Sequence, residues 1–184
     1  EDSVVFGKEE EAMVFFQQLK ERLLHINAWH EYAGSLSADF KLTDQNGNEI
    51  ERKPRKGDFF KINIPAPGLQ TGEGYDWVQI EEIAERAEGA DEYTSIRVRP
   101  TSSPVNDKPD VAHFFTDEAT SNFIIRREGT KVTAGVYGRN EKPNVKETDS
   151  LLDKVRNAVV GTGGVTAFSK LQWKALVSGL LQKK

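Results

Sequence analysis

The clearest pattern in the chain is helical and covers residues 8–26. Its apolar positions recur at steps of three and four along one face, at Ala12, Phe16, Leu19, Leu23 and Ile26. Three glutamates, Glu9 to Glu11, occupy the first turn and basic residues lie near the end, which suits the helix dipole. The sequence therefore predicts an amphipathic helix close to the N-terminal end of the chain.

The middle of the chain changes to alternation of apolar and polar residues, the period of a half-buried strand. In residues 36–43 the apolar positions are Leu36, Ala38, Phe40 and Leu42. Further strands are predicted over 58–64, 75–83 and 93–99. Asn46-Gly47 is predicted to form a type I′ turn, because both residues tolerate positive φ.

The last two predicted strands form a hairpin. Residues 120–127 and 130–138 flank Glu128-Gly129, which is predicted to be the two-residue turn. We expect Val132, Ala134 and Val136 to lie on one face of the sheet.

Two helices are predicted after the strands, at 151–159 and 167–181, with Gly161 to Gly164 as a turn between them. The second helix has two apolar arcs, which are Phe168, Leu171 and Ala175 on one side and Trp173, Leu176, Val177 and Leu180 on the other. A helix with two apolar sides needs two partners. One is the sheet; the other is the preceding helix or a second copy of the chain, so a homodimer through the C-terminal helix is possible.

These elements predict a single α+β domain over residues 1–184. We expect six or seven antiparallel strands in a curved sheet or partial barrel, with an N-terminal helix and two C-terminal helices. In element order the chain resembles the helix-grip architecture of START-type lipid-binding and polyketide-cyclase-like proteins, where a long C-terminal helix closes a cavity under a curved sheet. The second C-terminal helix departs from that architecture.

Composition and net charge reduce the classes of partner that this chain is expected to bind. The 184 residues carry 25 basic and 29 acidic side chains, a net charge of −4, which provides no long-range attraction to nucleic acid. Cysteine is absent. No apolar run reaches the roughly 18 residues that a membrane span requires. We therefore expect no nucleic-acid partner and no membrane span, and the compartment stays open with the cytoplasm favoured.

No motif predicts a cofactor or a metal site. Asp44, Asn46 and Asn48 have the spacing of the first calcium-loop ligands, but the closing glutamate is missing. The Gly161 to Gly164 stretch lacks the lysine of a phosphate loop. His25 and His30 are five residues apart, which places them on different sides of a helix.

Catalysis is left uncertain by the sequence. An enzyme of the hydrolase or cyclase type would need His30 or His113 in a pocket beside a carboxylate. Glu81 and Glu82 are adjacent in a predicted strand and point to opposite faces, so whichever faces inward is the first acid–base candidate.

Large aromatic residues favour a small-molecule binding protein over the other classes. Such pockets are lined by rings with a few polar groups. We predict that an apolar or amphipathic ligand binds between the sheet and the helices, and that the binding residues are Trp29, His30, Tyr32, Tyr75, Trp77, Arg99 and Arg139. The alternatives are that these rings fill the core, and that the chain is a structural or protein-interaction domain acting through its last helix.

Overall fold

A computed structural model describes residues 1–34, 38–63, 75–105, 118–141 and 162–183, with side chains of the last helix described from Leu171 onward. The elements follow in chain order: β1 (Asp2–Val5), α1 (Glu9–Leu24), a 3-10 turn (Ile26–Ala28), α2 (Trp29–Ala33), β2 (Asp39–Thr43), β3 (Phe59–Asn63), β4 (Asp76–Glu88), β5 (Asp91–Thr101), β6 (Thr120–Glu128), β7 (Lys131–Arg139) and α3 (Thr162–Leu180).

The seven strands form one antiparallel sheet in the order β1-β7-β6-β5-β4-β3-β2. From β2 to β7 each strand pairs with the next one along the chain, and β1 returns to pair with β7. The predicted α+β class, the curved antiparallel sheet and the helices at both ends are confirmed. The predicted helix over 151–159 lies outside the described residues.

Two tryptophans show how strongly the sheet curls. Neighbouring strands lie about 4.8 Å apart, so β2 and β6 would be separated by about 19 Å in a flat sheet. The Trp173 ring nevertheless contacts both Phe40 of β2 and Phe123 of β6, at centroid distances of 6.1 and 5.1 Å. Trp29 contacts the same two rings at 5.4 and 4.7 Å. The sheet is therefore a half-barrel, and its inner face is the one that carries these rings.

The helices cover that inner face. The buried side of α1 is formed by Ala12, Phe15, Phe16, Leu19, Leu23 and Leu24, and the helix packs against β6 and β7. α3 packs against α2 and β7, with Leu176, Val177 and Leu180 buried. Arg22 of α1 donates hydrogen bonds to the carbonyls of Leu180 and Gln182 at 2.6 and 2.7 Å, which joins the end of α1 to the end of α3.

Both long hairpins have glycine first in a two-residue loop. Glu128 pairs with Lys131, so the β6–β7 loop is Gly129-Thr130 and the predicted Glu128-Gly129 turn is displaced by one residue. Gly129 has φ +57°, whereas Thr130 does not have positive φ. That pattern fits a type II′ turn, for which glycine is preferred at the first position. Gly89 occupies the same place between β4 and β5, with φ +61°.

The predicted type I′ turn at Asn46-Gly47 is wrong. The amide of Gly47 donates to the carbonyl of Asp44 at 3.0 Å, so the turn is centred one residue earlier, and Asn46 does not have positive φ. The Asp44 carboxylate accepts hydrogen bonds from the amides of Asn46 and Asn48 at 2.8 and 2.9 Å. Aspartate is favoured at the first position of such turns because its side chain bonds to the following backbone.

The predicted turn before the last helix is also corrected. α3 begins at Thr162 and includes Gly163 and Gly164. Glycine lowers helix stability mainly in a helix interior, and the first-turn amides have no intrahelical partner in any case. The two glycines therefore do not delay the start of the helix.

Candidate functional site

The inner face of the half-barrel carries one acidic side chain at the start of β4. Val78 and Ile80 belong to the buried core, and side chains two apart in a strand share a face. Asp76 therefore lies on the same inner face as these two residues. Its register partner is Ile62 of β3, which is also a core residue. The structure thus places a carboxyl group among aliphatic side chains.

Burial raises the pKa of Asp76 well above its ordinary value of 3.8. The cause is desolvation, which disfavours the charged form of a carboxyl group. Neither a cation nor a hydrogen-bond donor from the described residues contacts this carboxylate. Desolvation therefore extends the pH range in which the neutral acid is present, and a neutral carboxyl both donates and accepts hydrogen bonds.

The residues around Asp76 lie at one end of the sheet, where α3 crosses. The side-chain oxygen of Gln172 in α3 accepts a hydrogen bond from the amide of Ala38 at 2.8 Å. Ala38 precedes β2, whose first residue, Asp39, pairs with Asn63 at the end of β3. The site therefore has a floor formed by β2 to β4 and a helix above its rim.

His30 lies at the same end of the sheet. Its Nδ1 atom is 3.6 Å from Oδ1 of Asp39, and both side chains are about half exposed. That separation is longer than a hydrogen bond. A hydrolase or cyclase would need this histidine in a pocket beside a carboxylate, whereas His30 and Asp39 both lie at the surface. The carboxyl group on the inner face is that of Asp76.

Trp29, the first residue of the predicted binding set, fills the centre of the core. It is fully buried, and its Nε1 donates to the carbonyl of Leu23 at 3.1 Å. Its ring meets Phe40 and Phe60 edge-on and is tilted against Phe123. The neighbouring Tyr32 is partly buried, and Arg22 lies over its ring at 5.7 Å.

The structure separates Trp29 from the two aromatic residues at the start of β4. Trp77 is on the opposite face from Val78, and it is buried without belonging to the core cluster. Tyr75 precedes β4, and Lys61 lies over its ring at 4.8 Å. The four predicted aromatic side chains are therefore not brought together in one place.

The two predicted arginines also lie away from Asp76. Nε of Arg99 donates to Oε1 of Glu81 at 2.5 Å, and Arg97 donates to the other oxygen of Glu81 at 3.2 Å. The hydrogen bond from Arg99, chiefly, lowers the pKa of Glu81. Arg139 is exposed at the end of β7. Glu81 is thus a partner in an ion-pair cluster.

Sequence reasoning missed Asp76 because the start of β4 contains two adjacent apolar residues, Trp77 and Val78. Alternation alone permits either of them to face inward, and the predicted binding set places Trp77 on the pocket side. The residues that show which of the two faces inward lie further along the strand. Val78 and Ile80 share a parity that Trp77 does not, and Val98 of β5 pairs with Ile80 on the inner face.

The described part of the chain contains no group of three or more His, Asp or Glu side chains placed to hold a metal ion. Within those same residues, no helix has both the length and the apolar character needed to cross a membrane.

Comparison with known proteins gives no relative. No protein-family model, no curated protein and no solved structure matches this chain. The resemblance to the helix-grip architecture therefore rests on element order.

Proposed function

We propose that this protein binds a small amphipathic molecule at the end of the half-barrel, with its polar group on Asp76 and its apolar part on the inner face of the sheet. The observation that supports the proposal is a carboxyl group on an apolar surface without a cationic partner in the described chain. Asp76 is partly buried, and polar groups withdrawn from bulk water are normally satisfied by hydrogen bonds. A bound ligand supplies the missing bond.

The chemistry of the site selects the polar group of the ligand. A neutral carboxyl donates one hydrogen bond, so it pairs with a carbonyl, ether or hydroxyl oxygen. An anionic ligand is disfavoured, because it would raise the free energy of any ionised Asp76 beside it. Ile62 and Val78 offer aliphatic contact on either side of Asp76. The proposed ligand is thus neutral, with one oxygen acceptor and an apolar body.

The contacts of Trp173 also support the proposed binding site. Its ring touches the fully buried Phe40 and Phe123, yet the tryptophan itself is only partly buried. A large ring with one solvent-exposed edge is common at the entrance of a small-molecule site. In this proposal Trp173 borders the opening, and the predicted binding residue Trp29 packs on the same two rings, Phe40 and Phe123, within the core. No nucleic acid is included among the partners, because the net charge of −4 does not favour one.

Native mass spectrometry of freshly purified protein tests the proposal. We expect a retained neutral molecule on the wild type and on Asp76→Asn, whose amide keeps a hydrogen-bond donor, and its loss from Asp76→Leu. Asp91→Leu, on the exposed end of a hairpin, is the matched control and should keep the molecule. Equal retention by Asp76→Leu and the wild type would contradict the assignment of Asp76.

A fluorescence titration with Nile red, a neutral dye with a carbonyl acceptor, covers a ligand that is lost during purification. The wild type and Asp76→Asn should increase the dye emission with saturation, and Asp76→Leu should bind at least about tenfold more weakly, the effect of one buried hydrogen bond. A wild type that does not bind the dye and carries no molecule in the mass spectrum would overturn the proposal.

Self-association through α3 is a second candidate, supported by one observation. Leu171 is 65% exposed, and it belongs to the apolar arc of Phe168, Leu171 and Ala175. Sedimentation velocity at increasing concentration tests it. A dimer that dissociates on Leu171→Ser supports the candidate, and a monomer at every concentration removes it.

A further inference from the structure

A groove runs along the exposed side of α1, next to the end of β1. It has a volume of about 410 Å³ and is lined by Phe6, Glu10, Glu11, Val14, Phe15, Gln18 and Lys183. The lining residues from α1 recur at steps of three and four, so they form one stripe of the helix. Val14 remains 55% exposed on that stripe. The groove is therefore an apolar strip bordered by carboxylates.

The strand beside the groove has an open edge. β1 is the last strand of the sheet and pairs only with β7 among the described strands. The amide of Phe6 donates to the carbonyl of Thr130 at 3.0 Å, which fixes the phase of the ladder. Backbone groups in an antiparallel strand point alternately to either side. Asp2, Val4 and Phe6 thus bond toward β7, and the N–H and C=O groups of Ser3 and Val5 point to the open edge. The Ser3 amide donates there to the Asp2 carboxylate at 2.8 Å, so the edge donor for an added strand is the Val5 amide.

The groove and the edge are related by the geometry of a sheet. A segment added along β1 would place alternate side chains on the same face as Val4 and Phe6. Val4 and Phe6 pack against the core, and the Phe6 ring lies 5.1 Å from that of Phe15 in the groove. An apolar side chain on the added strand would therefore enter the groove beside Val14.

The charged residues around the groove determine which kind of partner can bind there. Glu9, Glu10 and Glu11 lie in the first turn of α1, and none of them forms an ion pair with a described residue. Lys183 is placed over the Phe6 ring at 4.2 Å. Among the residues that line the groove, two carboxylates stand against one ammonium group, and this excess attracts cationic side chains. A second copy of this chain would instead bring a like-charged cluster to the same interface, which is unfavourable.

We propose that an extended segment of another protein, with apolar residues alternating with lysine or arginine, docks on the open edge of β1 and inserts an apolar side chain into the groove beside α1. Main-chain hydrogen bonds from the Val5 amide and to the carbonyls of Ser3 and Val5 hold the segment, and Glu10 and Glu11 select its basic residues. Strand addition of this kind is a general mode of peptide recognition.

Fluorescence anisotropy tests the docking with a labelled hexapeptide of alternating lysine and valine. Val5→Pro removes the outward amide without touching a bond to β7, so the fold is retained, and binding should weaken about tenfold, the effect of one hydrogen bond. Val5→Ala keeps the amide and should bind within about twofold of the wild type. The thermal midpoint of each variant, followed by circular dichroism, verifies that it is folded.

The charge requirement is tested in the same assay. The double variant Glu10→Lys with Glu11→Lys should bind the peptide more than about tenfold more weakly at low salt. The matched double variant Glu51→Lys with Glu118→Lys has the same net charge at other exposed positions, and it should retain most of the affinity. A peptide of alternating glutamate and valine should not bind the wild type.

The proposal is overturned if Val5→Pro binds as the wild type does, or if both double variants weaken binding equally, which would show nonspecific charge attraction. It is also overturned if the protein sediments as a dimer that Val5→Pro converts to a monomer, because the edge is then occupied by a second copy.

Discussion

The guanidinium group of Arg127 donates a hydrogen bond from Nε to Oε2 of Glu92 over 2.6 Å, beneath helix α1. The two side chains are only 5% and 14% exposed. The other oxygen of Glu92 accepts a hydrogen bond from Gln17 of α1 at 2.8 Å, and Arg127 also donates to the carbonyl of Gly129. This pair therefore attaches α1 to the ends of β5 and β6.

Removing one partner of this pair should destabilise the fold far more than removing both. Arg127→Met leaves the Glu92 carboxylate buried without its cation, and we expect a loss of about 3 kcal/mol in the free energy of unfolding, measured by urea denaturation. The double variant Arg127→Met with Glu92→Leu should recover at least half of that loss.

The exposed neighbour provides the control for this cycle. Arg126 lies 3.6 Å from Glu128, with both side chains about half exposed, and Arg126→Met should change the free energy by less than about 1 kcal/mol. A double variant less stable than Arg127→Met alone would show that the pair itself, not the orphaned charge, provides the stability.

Gly179 should not tolerate a methyl group although it lies in a helix. A Cβ atom there would overlap the backbone carbonyl of Tyr32 in α2, so α3 and α2 approach as closely as they do because the residue is glycine. Glycine to alanine normally stabilises a helix interior by about 1 kcal/mol. Here we expect Gly179→Ala to lower the free energy of unfolding by at least about 2 kcal/mol, because the helices must separate.

Ser178→Ala is the matched change, one residue earlier and exposed on the same helix. It should leave the thermal midpoint unchanged or slightly raised. A Gly179→Ala variant as stable as Ser178→Ala would show that α2 and α3 are further apart than described.

The stability of Asp76→Asn relative to the wild type should depend on pH. The folded pKa of Asp76 is raised above its unfolded value of 3.8, so the wild type is most stable below that value and loses stability as the pH rises through the folded pKa. We expect Asp76→Asn to be more stable than the wild type at pH 7, with a difference that shrinks as the pH falls toward 3.8. Urea denaturation at several pH values measures the difference.

Asp44→Asn should behave in the opposite direction. The side-chain hydrogen bond from Asn48 is the main cause that lowers the pKa of Asp44, so its contribution is present above the unfolded pKa and is lost as the pH falls through the folded one. This variant should be less stable than the wild type at pH 7 and should approach it in acid. The same sign for both variants would rule out this electrostatic explanation.

The strands and helices of this chain were largely predictable, and the site was not. Alternation at Phe40 and Leu42, and again at Val132 and Ala134, predicted strands whose inward residues are indeed buried. Such patterns report burial on one face, which is a local property. The curl that brings Phe40 and Phe123 to one tryptophan depends on contacts between distant segments.

The inward position of the Asp76 carboxyl was not predicted, for physical reasons. An aspartate between two aromatic residues, here Tyr75 and Trp77, is normally assigned to solvent, because burying its charge is unfavourable. β4 also contains a bulge between Ile80 and Glu82, which changes the phase of alternation in the second half of the strand. In β4 itself only the shared parity of Val78 and Ile80 indicates that Asp76 faces inward, and the pairing of Asp76 with Ile62 of β3 agrees with it.

The most direct test of the central claim is a carbon NMR titration of the Asp76 side-chain carboxyl, assigned by comparison with Asp76→Asn. We predict a midpoint well above 3.8, and a chemical shift that responds to the added neutral ligand. A midpoint at or below that value would show that the carboxyl is solvated or ion-paired, and would contradict the proposed binding site.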